Sequence, residues 1–420
     1  MSHIDRPEES DRDTDCSRAS SAIAGLSKLS DFIPGGGVDG YPEDFSDLFD
    51  KTNARLLRHA QREGGVVAFR HKDLLGLAAN PAVGNVPTEK RAFRRFFGNM
   101  IFASNPPLHG PMRQVIQRPL TPSHIPRLHQ LAKQIAAHLI DEVIGEGVVD
   151  FCSRVSERFT ARFWGAIVDM TEDEIERLSE VVRNIAPILL CGSSPEKMAA
   201  IAIATDSYLE LMAHAIHRAL NSGGNEMLES MAATFNAIGD AAKPNQVGEM
   251  IAANVFDGLH TAAAAGASIL YQLLLRPKEL AAVRTGLAPL SDAVNEGLRL
   301  WTPSITTERY TLQGLEFAGV WIPQGTEIIM LWAAGNRDPN AFENPNFFDP
   351  YRKQRAETTF GGGVHICPGR YVVRMLVQTI LETVLASGVR IELQGARPTW
   401  IARSHARQLD RMSMVISRSA

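Results

Sequence analysis

Between Phe360 and Arg370 the chain reads FGGGVHICPGR. Cys367 stands there among glycines, with His365 two residues before it and Pro368 directly after it. A cysteine so placed has three available fates: a buried structural thiol, half of a disulfide, or a metal ligand. As a ligand it must be a thiolate, and a thiolate needs nearby donors to hold its charge. Glycines let the backbone turn tightly and approach a flat cofactor, and amides just past the sulfur can point back at it. Pro368 has no N–H, so those amides begin at Gly369. The apolar run from Tyr371 onward reads as a helix whose N-terminus adds a favourable dipole for an anion.

The other cysteines, Cys16, Cys152 and Cys191, are widely scattered and form neither a Cys-x-x-Cys pair nor a zinc half-site. So sparse a set fits a reducing cytoplasm, where a disulfide to Cys367 is not expected. A lone thiolate suits a cofactor that already fills the other positions of its metal, as haem does with its pyrrole nitrogens.

The elements that must position this loop are mostly helical. Apolar residues recur at helical spacing over 131–144, 198–220, 250–275 and 372–387, and Arg276-Pro277 ends the third of these runs. Strand signals are confined to 64–71 and to 310–330, which alternates and carries Gly and Pro-x-Gly turns. The expected fold class is mainly α with a small β portion, as one domain over 31–420 behind a polar, mobile tail over 1–30. Hydrophobic residues make up 45% of the chain and charged residues 21%, an ordinary globular balance. With 43 basic and 47 acidic residues the net charge is −4, without the concentrated basic excess of a general nucleic-acid binder. The N-terminus lacks the apolar core of a signal peptide. The run 250–275 is long enough to span a bilayer, but Asn254, Asp257, His260, Thr261 and Gln272 interrupt it, so a buried central helix is the better reading. Neither Gly-x-Gly-x-x-Gly after a strand nor a Walker loop is present, which leaves a nucleotide fold unsupported.

The loop resembles the haem loop of the cytochrome P-450 superfamily, Phe-x-x-Gly-x-His/Arg-x-Cys-x-Gly, with Phe360, Gly363, His365, Cys367 and Gly369 in every position. Three further features follow in the family's order, and the likeness runs from about Asn105 to the end of the haem helix. Glu296 and Arg299 in NEGLRL match its Glu-x-x-Arg pair, with Arg352 as the third member of a structural network. His109 and Arg113 in NPPLHGPMRQ match its propionate-facing His-x-x-x-Arg, which Arg309 and His365 complete. In DGLHTA, Thr261 takes the place of the threonine that guides protons to the activated oxygen, and Gly258 opens the groove beside it. The resemblance implies a triangular-prism fold with haem b, iron protoporphyrin IX, between the long central helix and the Cys-loop helix. Cys367 would be the axial iron ligand of a soluble, monomeric, bacterial-type monooxygenase without a membrane anchor.

One departure stands out: His260 occupies the position of the family's usual acid. Histidine can relay protons near its ordinary pKa of about 6.5. Asp257 lies one turn earlier on the same face and can take over that task. The departure keeps atypical oxidations open, namely oxidative coupling, rearrangement or peroxide-driven chemistry, and a haem-based sensor is the non-enzymatic alternative. The chain carries no flavin or iron–sulfur motif, so by resemblance its electrons come from a ferredoxin and an NAD(P)H-dependent ferredoxin reductase. Arg370 and Arg374 lie near where such a partner docks. The substrate is expected to be a mostly apolar small molecule of secondary metabolism, in a pocket lined by Phe97, Phe102, Leu190, Ile305 and Thr306.

Overall fold

Alternating residues of two short strands explain the β part of the molecule. Val66, Ala68, Ile328 and Met330 pack into one apolar cluster, while Val67, Ile329 and Leu331 pack into another on the opposite face. Successive side chains of a strand point to opposite faces, so a sheet buried on both sides needs such unbroken apolar runs. The computed structural model describes residues 22–33, 41–42, 45–59, 64–85, 93–185, 194–238, 246–353, 358–401 and 405–419.

Ten strands are present among them: β1 (Leu56–Arg58), β2 (Val66–Ala68), β3 (Val83–Gly84), β4 (Val148–Asp150), β5 (Thr306–Thr311), β6 (Leu315–Phe317), β7 (Val320–Ile322), β8 (Glu327–Leu331), β9 (Val389–Leu393) and β10 (Ser413–Arg418). The first sheet has the order β1-β2-β8-β5-β3, with only β2 and β8 parallel, Val66 opposite Ile328. A second sheet, β4-β10-β9, closes the C-terminus, and β6-β7 form a hairpin.

The helices that matter for the site are α1 (His71–Ala79), α2 (His109–Gln117), α3 (Ile125–Val143), α4 (Arg158–Ile167), α5 (Glu172–Ile185), α6 (Pro195–Ser222), α7 (Glu226–Asn236), α8 (Val247–Leu274), α9 (Leu290–Leu300) and α10 (Arg370–Val384). At 28 residues α8 runs about 42 Å through the middle of the main core. Its small residues let neighbours come close: a Cβ on Gly266 would lie 3.4 Å from Ile380 of α10 and 3.4 Å from Ser156. Ile269, Leu270 and Leu273 are fully buried, each worth about 1.5–3 kcal/mol of hydrophobic stabilisation. Among the described residues no single helix is long and apolar enough to cross a membrane.

The boundary expected for the tail at residue 30 is too late. Ile23 and Leu29 are buried, and Lys28 bridges to Arg58 at the edge of the first sheet. Two apolar side chains in a polar stretch are enough to dock it.

Candidate active site

Gly369 caps the N-terminus of α10, and the loop before it is tied back on itself by the Cys367 N–H, which donates to the Phe360 carbonyl at 2.9 Å. Gly363 has φ +60°, and a Cβ there would lie 1.9 Å from the carbonyl oxygen of Ala78 in α1. Only glycine can combine that conformation with that approach. Phe360 packs under Arg374, whose guanidinium carbon is 4.4 Å from the ring centroid, while its Nε donates to Asn295 at 2.9 Å. Arg374 thus braces the loop from within rather than offering a free docking charge; Arg370 donates to the Cys367 carbonyl at 3.0 Å.

Burial pushes the Cys367 thiol up to about 11; the Gly369 N–H, Arg113 and Arg370 pull the other way, and Asp257 adds to the rise. A thiolate forms readily here only when a metal cation takes the place of the proton. Among the described residues no cluster of three or more His, Cys, Asp or Glu side chains could hold a metal ion.

Beside the loop, the rings of His109 and His365 lie against each other at a tilt of 57°, with centroids 4.2 Å apart. Arg113 donates to the Ile366 carbonyl at 2.6 Å and to Gln117 at 2.7 Å. Arg309 donates to the side-chain oxygen of Asn85 at 3.2 Å, and the Asn85 amide donates to Nε2 of His365 at 3.3 Å. Because Nε2 accepts, the proton of neutral His365 sits on Nδ1, and that atom is buried with no partner among the described residues. Nε2 of His109 is likewise buried and unpartnered. Burial lowers both histidines, His365 to about 3, and the charges of Arg113 and Arg309 lower them further. An orphaned donor, the Nδ1–H of His365, beside a second unpartnered imidazole nitrogen in a positive field is what a buried carboxylate would satisfy, so the residues present fit the propionates of a haem at Cys367. Asn85, fully buried at the end of β3, went unrecognised in the sequence, where a solitary asparagine carries no periodic or motif signal.

Behind the loop lies a buried ion network. Arg299 grips Glu296 with Nε and Nη2 at 2.8 and 2.7 Å, and Nε of Arg352 reaches the same carboxylate at 3.0 Å. Arg299 spends its remaining donors on the carbonyls of Asn336 and Pro345, both at 2.7 Å, and of Phe347 at 3.4 Å. It touches no open space and does structural work.

Across from Cys367, α8 presents Asp257 and Thr261. The Asp257 side chain keeps accessible surface, yet the protein around it desolvates the carboxyl and raises it to about 7, and its charge is felt at Cys367. The Thr261 hydroxyl donates to the Asp257 carbonyl at 2.5 Å, which leaves its oxygen free to accept. His260 bonds the Phe256 carbonyl through Nδ1 at 3.2 Å. Gly258 does not open a groove. Its missing Cβ is filled by Trp164 of α4, which would approach to 2.8 Å, so this glycine serves helix packing.

The expected pocket lining is only partly brought together. Phe97 and Phe102 meet edge to face at 6.2 Å and are half-buried, whereas Phe96 is core, edge-on to Phe256 at 5.2 Å. Ile305 is not a pocket residue: it is buried in the cluster that holds Leu57 and Phe69. Thr306 is buried against His405, its hydroxyl 2.7 Å from Nδ1, and is no open polar anchor. Leu190 lies outside the described residues.

A family model described as Cytochrome P450 matches residues 226–387. The 6-deoxyerythronolide B hydroxylase of Saccharopolyspora erythraea is 26% identical over 69% of this chain and 71% of its own. Biflaviolin synthase of Streptomyces coelicolor is 25% identical over 84% of this chain and 89% of its own. Among solved structures, P450BioI in complex with an acyl-loaded carrier protein superimposes with a TM-score of 0.78 at 20% identity, over 89% of this chain and 98% of its own. That likeness speaks for the fold.

Proposed function

We propose that the chain is a cytochrome P450 oxygenase and that it oxidises a mostly apolar small molecule of bacterial secondary metabolism with a haem b held by Cys367. The observation that carries this reading is the pair of orphaned nitrogens, His109 Nε2 and His365 Nδ1, beside a single cysteine in a glycine loop. When bound, the haem supplies the oxidising chemistry, and a thiolate ligand pushes electron density in the direction that favours O–O cleavage.

Each remaining task falls to the chain's own side chains. Cys367 would hold the haem iron as thiolate, its charge met by the Gly369 amide and by Arg113 and Arg370. His109, Arg113, Arg309 and His365 would hold the propionates, and Asn85 keeps His365 in the donating tautomer. Thr261 accepts and passes protons at its hydroxyl oxygen. Asp257, with its carboxyl near 7, exchanges protons at neutral pH on that same side, and His260 does so at Nε2. Phe97 and Phe102 stack against the substrate. Electrons arrive from a ferredoxin and its reductase.

A second reading, an atypical oxidation such as oxidative coupling, is favoured by the histidine at position 260 and the aspartate facing the thiol. The similarity to biflaviolin synthase supports keeping it beside simple hydroxylation.

The test is spectroscopic. Purified protein is expected to bind haem and to show the red-shifted Soret band of a thiolate-ligated reduced carbon monoxide complex. Compounds are then screened for a substrate-induced spin-state shift. Protein that takes up no haem, or that lacks the red shift, overturns the reading.

A further inference from the structure

His260 also borders a cleft whose lining includes neither Cys367, Asp257 nor Thr261. The cleft encloses about 410 Å³, counted with the space open to solvent, and its polar lining is Glu157, Thr160, Ser179, Arg183, His260 and Gln408. Glu157 ends a π-helical turn, Cys152–Glu157, wedged between β4 and α4. Such turns are uncommon and cluster at functional places. Here the turn is pinned to α8 by Ser156, whose hydroxyl donates to the Ala263 carbonyl at 2.7 Å. Ala263 lies one helical turn beyond His260, so the pin sets Glu157 beside that stretch of α8.

The charges within the cleft are ordered. The Glu157 side chain is 22% exposed and that of Arg183 is 55% exposed, so the carboxylate lies inboard and the guanidinium forms the rim. Arg183 Nε donates to one carboxylate oxygen at 3.1 Å, and Gln408 approaches the other at 3.5 Å. His260 spends its Nδ1 proton on the Phe256 carbonyl, which makes Nε2 the atom at which a further proton must arrive.

We propose that Glu157 supplies, from the π-turn, the carboxylate that α8 lacks at position 260, and that the cleft is the inlet through which His260 draws protons from solvent. Glu157 orders the water that hands a proton to Nε2 of His260, and its charge holds the imidazolium until a turn of the ring lets that same proton leave Nε2 on the Thr261 side, after which the ring returns with its Nδ1 proton in place. The next proton enters past Arg183, and no group is left changed. Glu157 is thus a positioning residue acting through His260. The other charges facing this histidine are Arg183 across the cleft and Asp257 on its own helix. The inference rests on the relay reading of His260.

The experiment compares the haem-loaded full chain with Glu157→Gln, Glu157→Asp, Arg183→Gln, His260→Asn and the Glu157→Gln/His260→Asn double variant. Histidine-selective NMR of the reduced carbon monoxide form follows the titration of His260, and peroxide released during reductase-driven turnover reports coupling. Removing the carboxylate disfavours the imidazolium, so the His260 midpoint falls in Glu157→Gln; it rises in Arg183→Gln and is restored in Glu157→Asp. Peroxide leakage grows several-fold in Glu157→Gln and in His260→Asn, and the double variant leaks no more than the worse single one, because both act on one path. An unmoved midpoint in Glu157→Gln, with His260→Asn leaky, overturns the Glu157 inference alone. Leakage at the wild-type level in His260→Asn overturns the relay reading and this inference with it.

Discussion

The two walls of the proposed haem site are built by different means. On the cysteine side the geometry is held by backbone: the Cys367 N–H on Phe360, a glycine pressed against Ala78, and carbonyls gripped by Arg113 and Arg370. On the α8 side it is held by side chains bonding within one helix, Thr261 to Asp257 and His260 to Phe256. A backbone-held wall tolerates no change in its few fixed residues. A side-chain wall can exchange one proton-handling group for another while the helix stays intact. That difference fits a cysteine loop that matches the cytochrome P-450 pattern at every position beside a central helix that departs from it.

The sharpest way to break the comparison is Cys367→Ser. It is expected to abolish turnover and the red-shifted carbon monoxide band, because no other residue on that wall can serve as thiolate; a retained band would show that the loop cysteine is not the ligand. Next, Glu296→Gln leaves Arg299 buried without its charge partner. It should cost about 3–5 kcal/mol in denaturant unfolding and loosen haem retention. A change no larger than that of a surface pair would mean that the network does not hold the loop.

Gly258→Ala probes the other wall. Its Cβ would meet the Trp164 ring at 2.8 Å, and the overpacking should destabilise by about 1–3 kcal/mol with coupling unchanged. Increased peroxide release without loss of stability would return Gly258 to the oxygen groove. The remaining probe of that wall is pH, read on Asp257→Asn in haem-free protein. The folded carboxyl titrates at about 7 against an ordinary 3.8, so the folded state holds a proton that the unfolded state has released. Wild-type stability therefore falls as pH rises between those values and stays at the lowered level above 7. Asp257→Asn escapes this fall: its thermal midpoint should match wild type below 3.8 and exceed it above 7, and parallel curves would show that the carboxyl is not enclosed.

What could be read from the chain follows the same division. Cys367, Gly363 and the Glu296–Arg299 pair were legible because backbone constraints and i,i+3 spacing leave their mark on residue order. The mainly helical class with a minor sheet was legible from periodicity. The face on which a helical residue lies was not, since it depends on what packs there: Gly258 met Trp164, and Ile305 turned into a satellite core. Asn85 was invisible because its value comes from Arg309 and His365, more than two hundred residues away in the chain.

The contact between Gly363 and Ala78 has a further consequence for how the protein is made. The ribosome completes α1 almost three hundred residues before the loop, yet the surface it must offer finds its counterpart only after residue 363 has emerged. The cysteine loop therefore takes its final form late, against a helix laid down early. A nascent chain stalled before the loop, or one begun after α1, would lack half of the mould that shapes the cofactor's seat.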